Sequence, residues 1–176
     1  MYRILRWGGL AAAVVAATAM SFDSDETAGT KPFRETGTEY VVTALPPGSL
    51  PQPLFVEARA RYGEEVWSGV ILQLSENNVG GRGSGVAFEA IFVDPTAPKG
   101  IVAYGLKSEV LANGDKLVMA GYFIPQADGS YVANVQFLPE EGTGRFAGAT
   151  GLIDVVRAIP GGYVFEGTIT TVGATK

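Results

Sequence analysis

The chain contains no histidine and no cysteine, so the side chains left to do chemistry are carboxylates, tyrosines and the cations that pair with them. That excludes Ser-His-Asp and Cys-His catalysis and every His/Cys metal site. No run alternates Asp or Asn toward a terminal Glu as a calcium loop does, so neither metal nor cofactor is expected. Three acids stand inside otherwise apolar runs: Glu89 in 86–93, Asp154 in 152–158 and Glu166 in 163–169. Glu57 and Arg59 lie two apart, on one face of the strand expected there. A charge on a buried face needs a partner, and a partnered charge in an apolar cup can anchor a ligand or exchange protons. Glu89, Glu166 and Tyr104 are therefore the candidate catalytic groups, and Glu57, Arg59, Phe88 and Tyr104 the candidate ligand contacts. The competing reading is that the acids are the outward, wetted positions of alternating strands and that Tyr104 is a core ring.

Other charged or glycine-rich clusters read as connections. Glu64-Glu65 and Glu140-Glu141 are adjacent pairs whose side chains diverge, and they read as solvated turn charges rather than facing acid and base. Gly81-Arg82-Gly83-Ser84-Gly85 lacks the following helix that a phosphate cradle needs and reads as a hairpin connection.

The elements that must position these residues are strands. Segments 39–45, 54–62, 65–74, 85–93, 100–111, 116–124, 131–138, 150–159 and 163–172 carry apolar residues with period two or as short runs. In 54–62, Val56, Ala58, Ala60 and Tyr62 alternate with Glu57, Arg59 and Arg61. Asn113-Gly114, Asp128-Gly129 and Pro160-Gly161-Gly162 mark hairpins, with Asn and Gly both able to take positive φ. Roughly nine strands at hairpin spacing, with no sustained helical period, predict an all-β domain. A meander of short turns favours a barrel, since closure removes exposed edges. The aromatic residues cannot all fill one face: Tyr122 and Phe123 must point to opposite sides of their strand. One set is expected to line the barrel, and the other to form an apolar outer surface of the kind that makes subunit contacts.

The segment around which the strands are arranged is Gly142-Thr143-Gly144-Arg145-Phe146-Ala147-Gly148-Ala149-Thr150-Gly151, too rich in glycine for a helix and read as a tight corner leading into a strand. This stretch, followed by a strand, a Gly-rich turn and a last strand, resembles the C-terminal signature of the allene oxide cyclase/dirigent superfamily, and the likeness runs over about 83–172. The resemblance implies a small antiparallel, calycin-type β-barrel whose interior holds an apolar ligand, often assembled as a dimer or trimer.

The N-terminus reads as a separate unit. Arg3 and Arg6 precede an apolar run over 8–20, Ala17-Thr18-Ala19 suits signal peptidase, and acids follow. This is the order of a secretory signal peptide, so the expected plan is a signal peptide at 1–21, a flexible tether at 22–35 and a barrel domain at 36–176. Loss of the leader leaves 11 basic against 18 acidic side chains, a net charge of −7. Such a chain, secreted or held in the periplasm or cell envelope, is expected to bind no nucleic acid.

The favoured function is a barrel that binds a small apolar molecule in its lumen. Two alternatives stand beside it: a cofactor-independent cyclase or isomerase, or dirigent-type protein, that shapes a reactive substrate by confinement, and a structural or interaction module of the envelope. A lumen packed solid would favour the last. An open cavity without an acid would favour carriage, and one enclosing a candidate such as Glu89 or Glu166 would favour catalysis.

Overall fold

A computed structural model describes residues 29–50 and 55–171. The proposed signal peptide, and the first part of the proposed tether, lie outside the described residues. Eight strands form one closed antiparallel barrel in sequence order: β1 (Thr30–Leu45), β2 (Trp67–Asn77), β3 (Gly81–Val93), β4 (Ile101–Leu111), β5 (Lys116–Pro125), β6 (Ser130–Phe137), β7 (Thr150–Ile159) and β8 (Gly162–Thr170). The all-β expectation and the meander hold.

Closure depends on the length of β1. Its first part, Thr30 to Thr38, pairs with β8, while Glu35 to Leu45 pairs with β2 across a bulge at Tyr40. Sixteen residues serve two neighbours, so the part of the supposed tether from Thr30 onward is the strand that shuts the barrel. Its polar sequence hid this, because only Phe33 is an apolar inward residue there.

The predicted strand over 54–62 is a short helix, α1 (Val56–Tyr62). Phe55, Ala58 and Tyr62 fall at i, i+3 and i+7, a helical stripe, and the Ala, Glu and Arg between them are good helix formers. Gly63 at φ 86° ends it. Phe55 and Ala58 pack on the outside of the barrel with Leu50, Ala90, Phe92, Val102 and Leu106. Part of the predicted apolar outer surface is thereby covered by this chain's own helix.

Tyr122 and Phe123 do take opposite sides. Tyr122 joins the outer aromatic row, 5.7 Å from Tyr104, while Phe123 stacks inside against Phe165 at 6.1 Å. In the β4–β5 and β5–β6 turns only Gly114 and Gly129 take positive φ, both at 88°. Asn113 does not, so the four residues between β4 and β5 need a left-handed residue only at the glycine.

The glycine-rich corner plugs one end of the barrel. It forms a 3-10 turn (Gly144–Phe146) before β7, and Phe146 is fully buried among Phe33, Leu111, Leu117, Ile153 and Ile169. Gly144, at φ 59°, lies where a Cβ would strike the Asp115 carboxylate. That close approach lets Asp115 take Arg145 at 2.8 Å, while Arg145 also donates to the Val79 carbonyl at 2.8 Å. The opposite end, beneath the 126–129 and 160–161 turns, stays open.

Candidate functional site

Above the plug lies a layer of buried polar side chains. Lys107 on β4 points into the lumen, where its ammonium donates to Glu35 of β1 and, at 2.8 Å, to the Tyr163 hydroxyl of β8. It also lies 2.9 Å from Glu109 Oε2. Tyr163 Oη in turn is 2.8 Å from Glu35 Oε1 and 3.3 Å from Gln73 Oε1. Ser75 donates to Glu109 Oε1. Glu35 and Glu109 are wholly inaccessible and Lys107 is 5% exposed.

Two glycines make the space. A Cβ on Gly37 would overlap the Tyr163 ring and hydroxyl at 2.2 Å, and one on Gly83 would meet Glu109 Oε1 at 2.3 Å. Burial alone would discharge the lysine, but Glu35, Tyr163 and Glu109 packed around it outweigh that and hold the ammonium above its ordinary pKa. Burial pushes Glu35 up to about 7, against the pull of Lys107 and with the push of Glu109. Glu109, despite burial, is drawn below its ordinary value by Lys107 and Ser75. Near neutrality Lys107 is charged, Glu109 is ionised and Glu35 is close to its titration point. Glu35 Oε2 and Glu109 Oε2 are buried without a hydrogen-bond partner among the described residues. Lys107 donates to Glu35 and Tyr163 and is ion-paired with Glu109, and as an ammonium it has no lone pair for Schiff-base chemistry.

Over this floor sits a cavity of about 140 Å³. Its walls are Ile71, Met119, Val135, Val156 and Phe165, its floor is Gln73, Lys107 and Tyr163, and Glu39, Glu89 and Tyr131 also line it. Glu89 on β3 is paired with Gly69 of β2 and Gly105 of β4, so neither neighbouring strand sets a side chain beside it. Among the described residues its carboxyl makes no hydrogen bond and no ion pair. Burial, with the nearby Glu39 charge, raises it to about 7.

The sequence candidates separate accordingly. Glu89 lies in the cavity. Glu166 is on the outer face of β8, 3.4 Å from Arg34 and 2.6 Å from Arg157; its strand alternates with Phe165 inward, which puts Glu166 out. Phe88 and Tyr104 also face outward, packed on the cluster that α1 covers. There Tyr104 meets Phe92 at 5.8 Å and Tyr62 at 6.2 Å, and burial with the neighbouring Tyr62 raises its phenol to about 12. Glu57 is exposed on α1. Arg59 turns to Glu65, with two contacts at 3.0 Å. Glu65 is no solvated turn charge: it is 5% exposed, and the Arg59 hydrogen bonds, with that from the Gly48 N–H, hold its carboxyl down to about 2.

Sequence reasoning missed Glu35, Gln73, Ser75, Lys107, Glu109 and Tyr163. One signal was available: Lys107 and Glu109 are opposite charges at i and i+2 within a strand, flanked by Leu106 and Leu111.

The fold and site define a closed eight-stranded antiparallel barrel with one end plugged, an ion-paired layer across its middle and an open cavity above. No protein-family model matches the chain, and no curated protein matches it. Among solved structures the chain is similar to a protein of unknown function from the DUF3224 family of Shewanella oneidensis, at 14% identity and a TM-score of 0.43, over 80% of this chain and 98% of that one. At that distance the neighbour says nothing of this chain's chemistry. Among the described residues no helix is long and apolar enough to cross a membrane.

Proposed function

We propose that the barrel binds a small apolar molecule in its lumen, held between aliphatic and aromatic walls and oriented by the polar groups at floor and rim. The observation that carries this reading is the open cavity of about 140 Å³ above a floor whose ions are already paired with one another. A lumen that served only as packing would be filled, since protein interiors leave few voids larger than a water molecule. Native mass spectrometry of the purified chain tests it. A co-purifying small molecule is expected on the wild type and is expected to be lost in Ala103→Leu, which extends a side chain into the cavity.

A second reading, catalysis, is the one that an acid inside the open cavity favours, and it rests on Glu89 alone. An unpartnered carboxyl with a pKa of about 7 in a confined apolar site suits proton transfer in a cofactor-free cyclisation or isomerisation. Glu89→Gln would then abolish turnover and spare binding. Loss of both, or of neither, would remove the acid–base role.

The glycine-rich corner and the barrel together support membership of the allene oxide cyclase/dirigent-like superfamily, and the N-terminal pattern supports export. Leu72 and Leu74 of β2 and Val110 of β4, at 40%, 53% and 51% exposure on the outer face to either side of β3, support self-association as a dimer or trimer. Light scattering on the mature chain decides that point, and a clean monomer would count against it.

A further inference from the structure

Resting on the lumen-binding reading, we propose that the cavity selects small apolar molecules carrying one cationic nitrogen, one-ring or short branched amines, with Glu89 as the counter-ion. Four observations lead there. The cavity is small: a protein cavity of about 150 Å³ accepts benzene, so one ring with a short arm fills this one. Its ionisable lining is biased: among the described residues Glu39 on β1 and Glu89 on β3 are acids, Lys107 on β4 is the one cation, and Tyr131 on β6 and Tyr163 on β8 are phenols. Lys107 is already matched to Glu35, Glu109 and Tyr163, so among the described residues the lumen has no free positive charge with which to hold a carboxylate. Glu89 has the opposite condition: its partly buried carboxyl, at the wall of an apolar cavity, lacks a partner among the described residues, and a charge so placed is costly until a cation arrives.

The walls reinforce the choice. The rings of Phe123, Tyr131 and Phe165 line the same space, and aromatic faces attract a cation in a desolvated site. Glu39, a second acid at the rim, adds to the bias toward an amine and against an anion. The neutral carboxyl of free Glu89 gives up its proton when an ammonium binds, because an adjacent cation favours the carboxylate. Amine binding near neutral pH therefore releases a proton, and binding weakens as acid keeps Glu89 protonated.

Calorimetric titration of the full chain with benzylamine, benzyl alcohol and benzoate tests this, since the three share a ring and differ in charge. At pH 8 benzylamine is expected to bind at least about tenfold tighter than benzyl alcohol, and benzoate weakest of the three. In Glu89→Gln, a near-isosteric change, amine and alcohol should bind alike. On wild type the amine preference should shrink at pH 5.5, and its heat should vary with buffer as a released proton requires. Equal binding of amine and alcohol to wild type, or a preference that survives Glu89→Gln, overturns the cationic ligand while leaving lumen binding in place. Failure of all three to bind overturns lumen binding itself, and this proposal with it.

Discussion

Lys107 and Glu89 face the same lumen from adjacent strands, yet they are solved in opposite ways. Lys107 enters a layer built for it, with two hydrogen-bond acceptors, a second carboxylate beside it and two glycines clearing room for Tyr163 and Glu109. Glu89 sits between two glycines, beside another acid, with nothing to pair with among the described residues. A buried ion whose partners are all in place has its free energy invested in the fold. A buried carboxyl without a partner is tolerated only as its neutral form or in the company of something from outside. The contrast teaches where to look for function in a barrel whose lumen holds several charges: at the unsatisfied one.

The comparison can be broken hardest at the lysine. Lys107→Met strands Glu35 and Glu109 together without a cation, and urea unfolding at pH 7 is expected to show a loss of about 3–5 kcal/mol. Adding Glu109→Gln should return much of it, which a merely steric defect would not allow. Gly37→Ala attacks the same layer without touching a charge. A methyl there displaces the Tyr163 ring, at an expected cost of up to about 3 kcal/mol, and Tyr163→Phe in that background should add less than it does in wild type.

Glu89 should answer in the other direction. Its folded pKa of about 7 is above the ordinary carboxylate value of 4.5, so its contribution is fully present below pH 4.5 and is lost as pH rises through 7. Glu89→Gln is therefore expected to stabilise the chain by about 2 kcal/mol at pH 8 and not at pH 4. Glu35, raised to about 7 as well, will leave part of the wild-type pH slope in place. A stabilisation equal at both pH values would mean that Glu89 is not titrating in the fold. The smallest effect belongs outside the barrel. Glu166→Gln breaks half-exposed surface pairs with Arg34 and Arg157, and thermal melts should move by no more than about 1 kcal/mol equivalent.

How much of this was legible depended on whether one strand carried the signal. The opposed Tyr122 and Phe123 were readable because a strand alternates whatever its surroundings. The glycine corner was readable because its composition forbids most other conformations. The helix α1 was not: Val56, Ala58, Ala60 and Tyr62 satisfy period two as well as Phe55, Ala58 and Tyr62 satisfy the helix, and packing on Phe92 decided between them. Glu166 and Glu89 look alike in sequence, each an acid in an apolar strand. Which one faces inward follows from strand register.

Taken alone, the amino-acid sequence settled most of the strand-and-turn alternation, the absence of histidine and cysteine chemistry, and the glycine-rich corner before β7, because each is a local or compositional property. The tertiary structure alone decided that a polar segment beginning at Thr30 closes the sheet, and that Glu35, Gln73, Lys107, Glu109 and Tyr163 meet. Those residues come from β1, β2, β4 and β8 and are as much as 128 residues apart. Only closure of the barrel brings their inward faces within hydrogen-bonding distance, and the same closure leaves Glu89 inside without a partner.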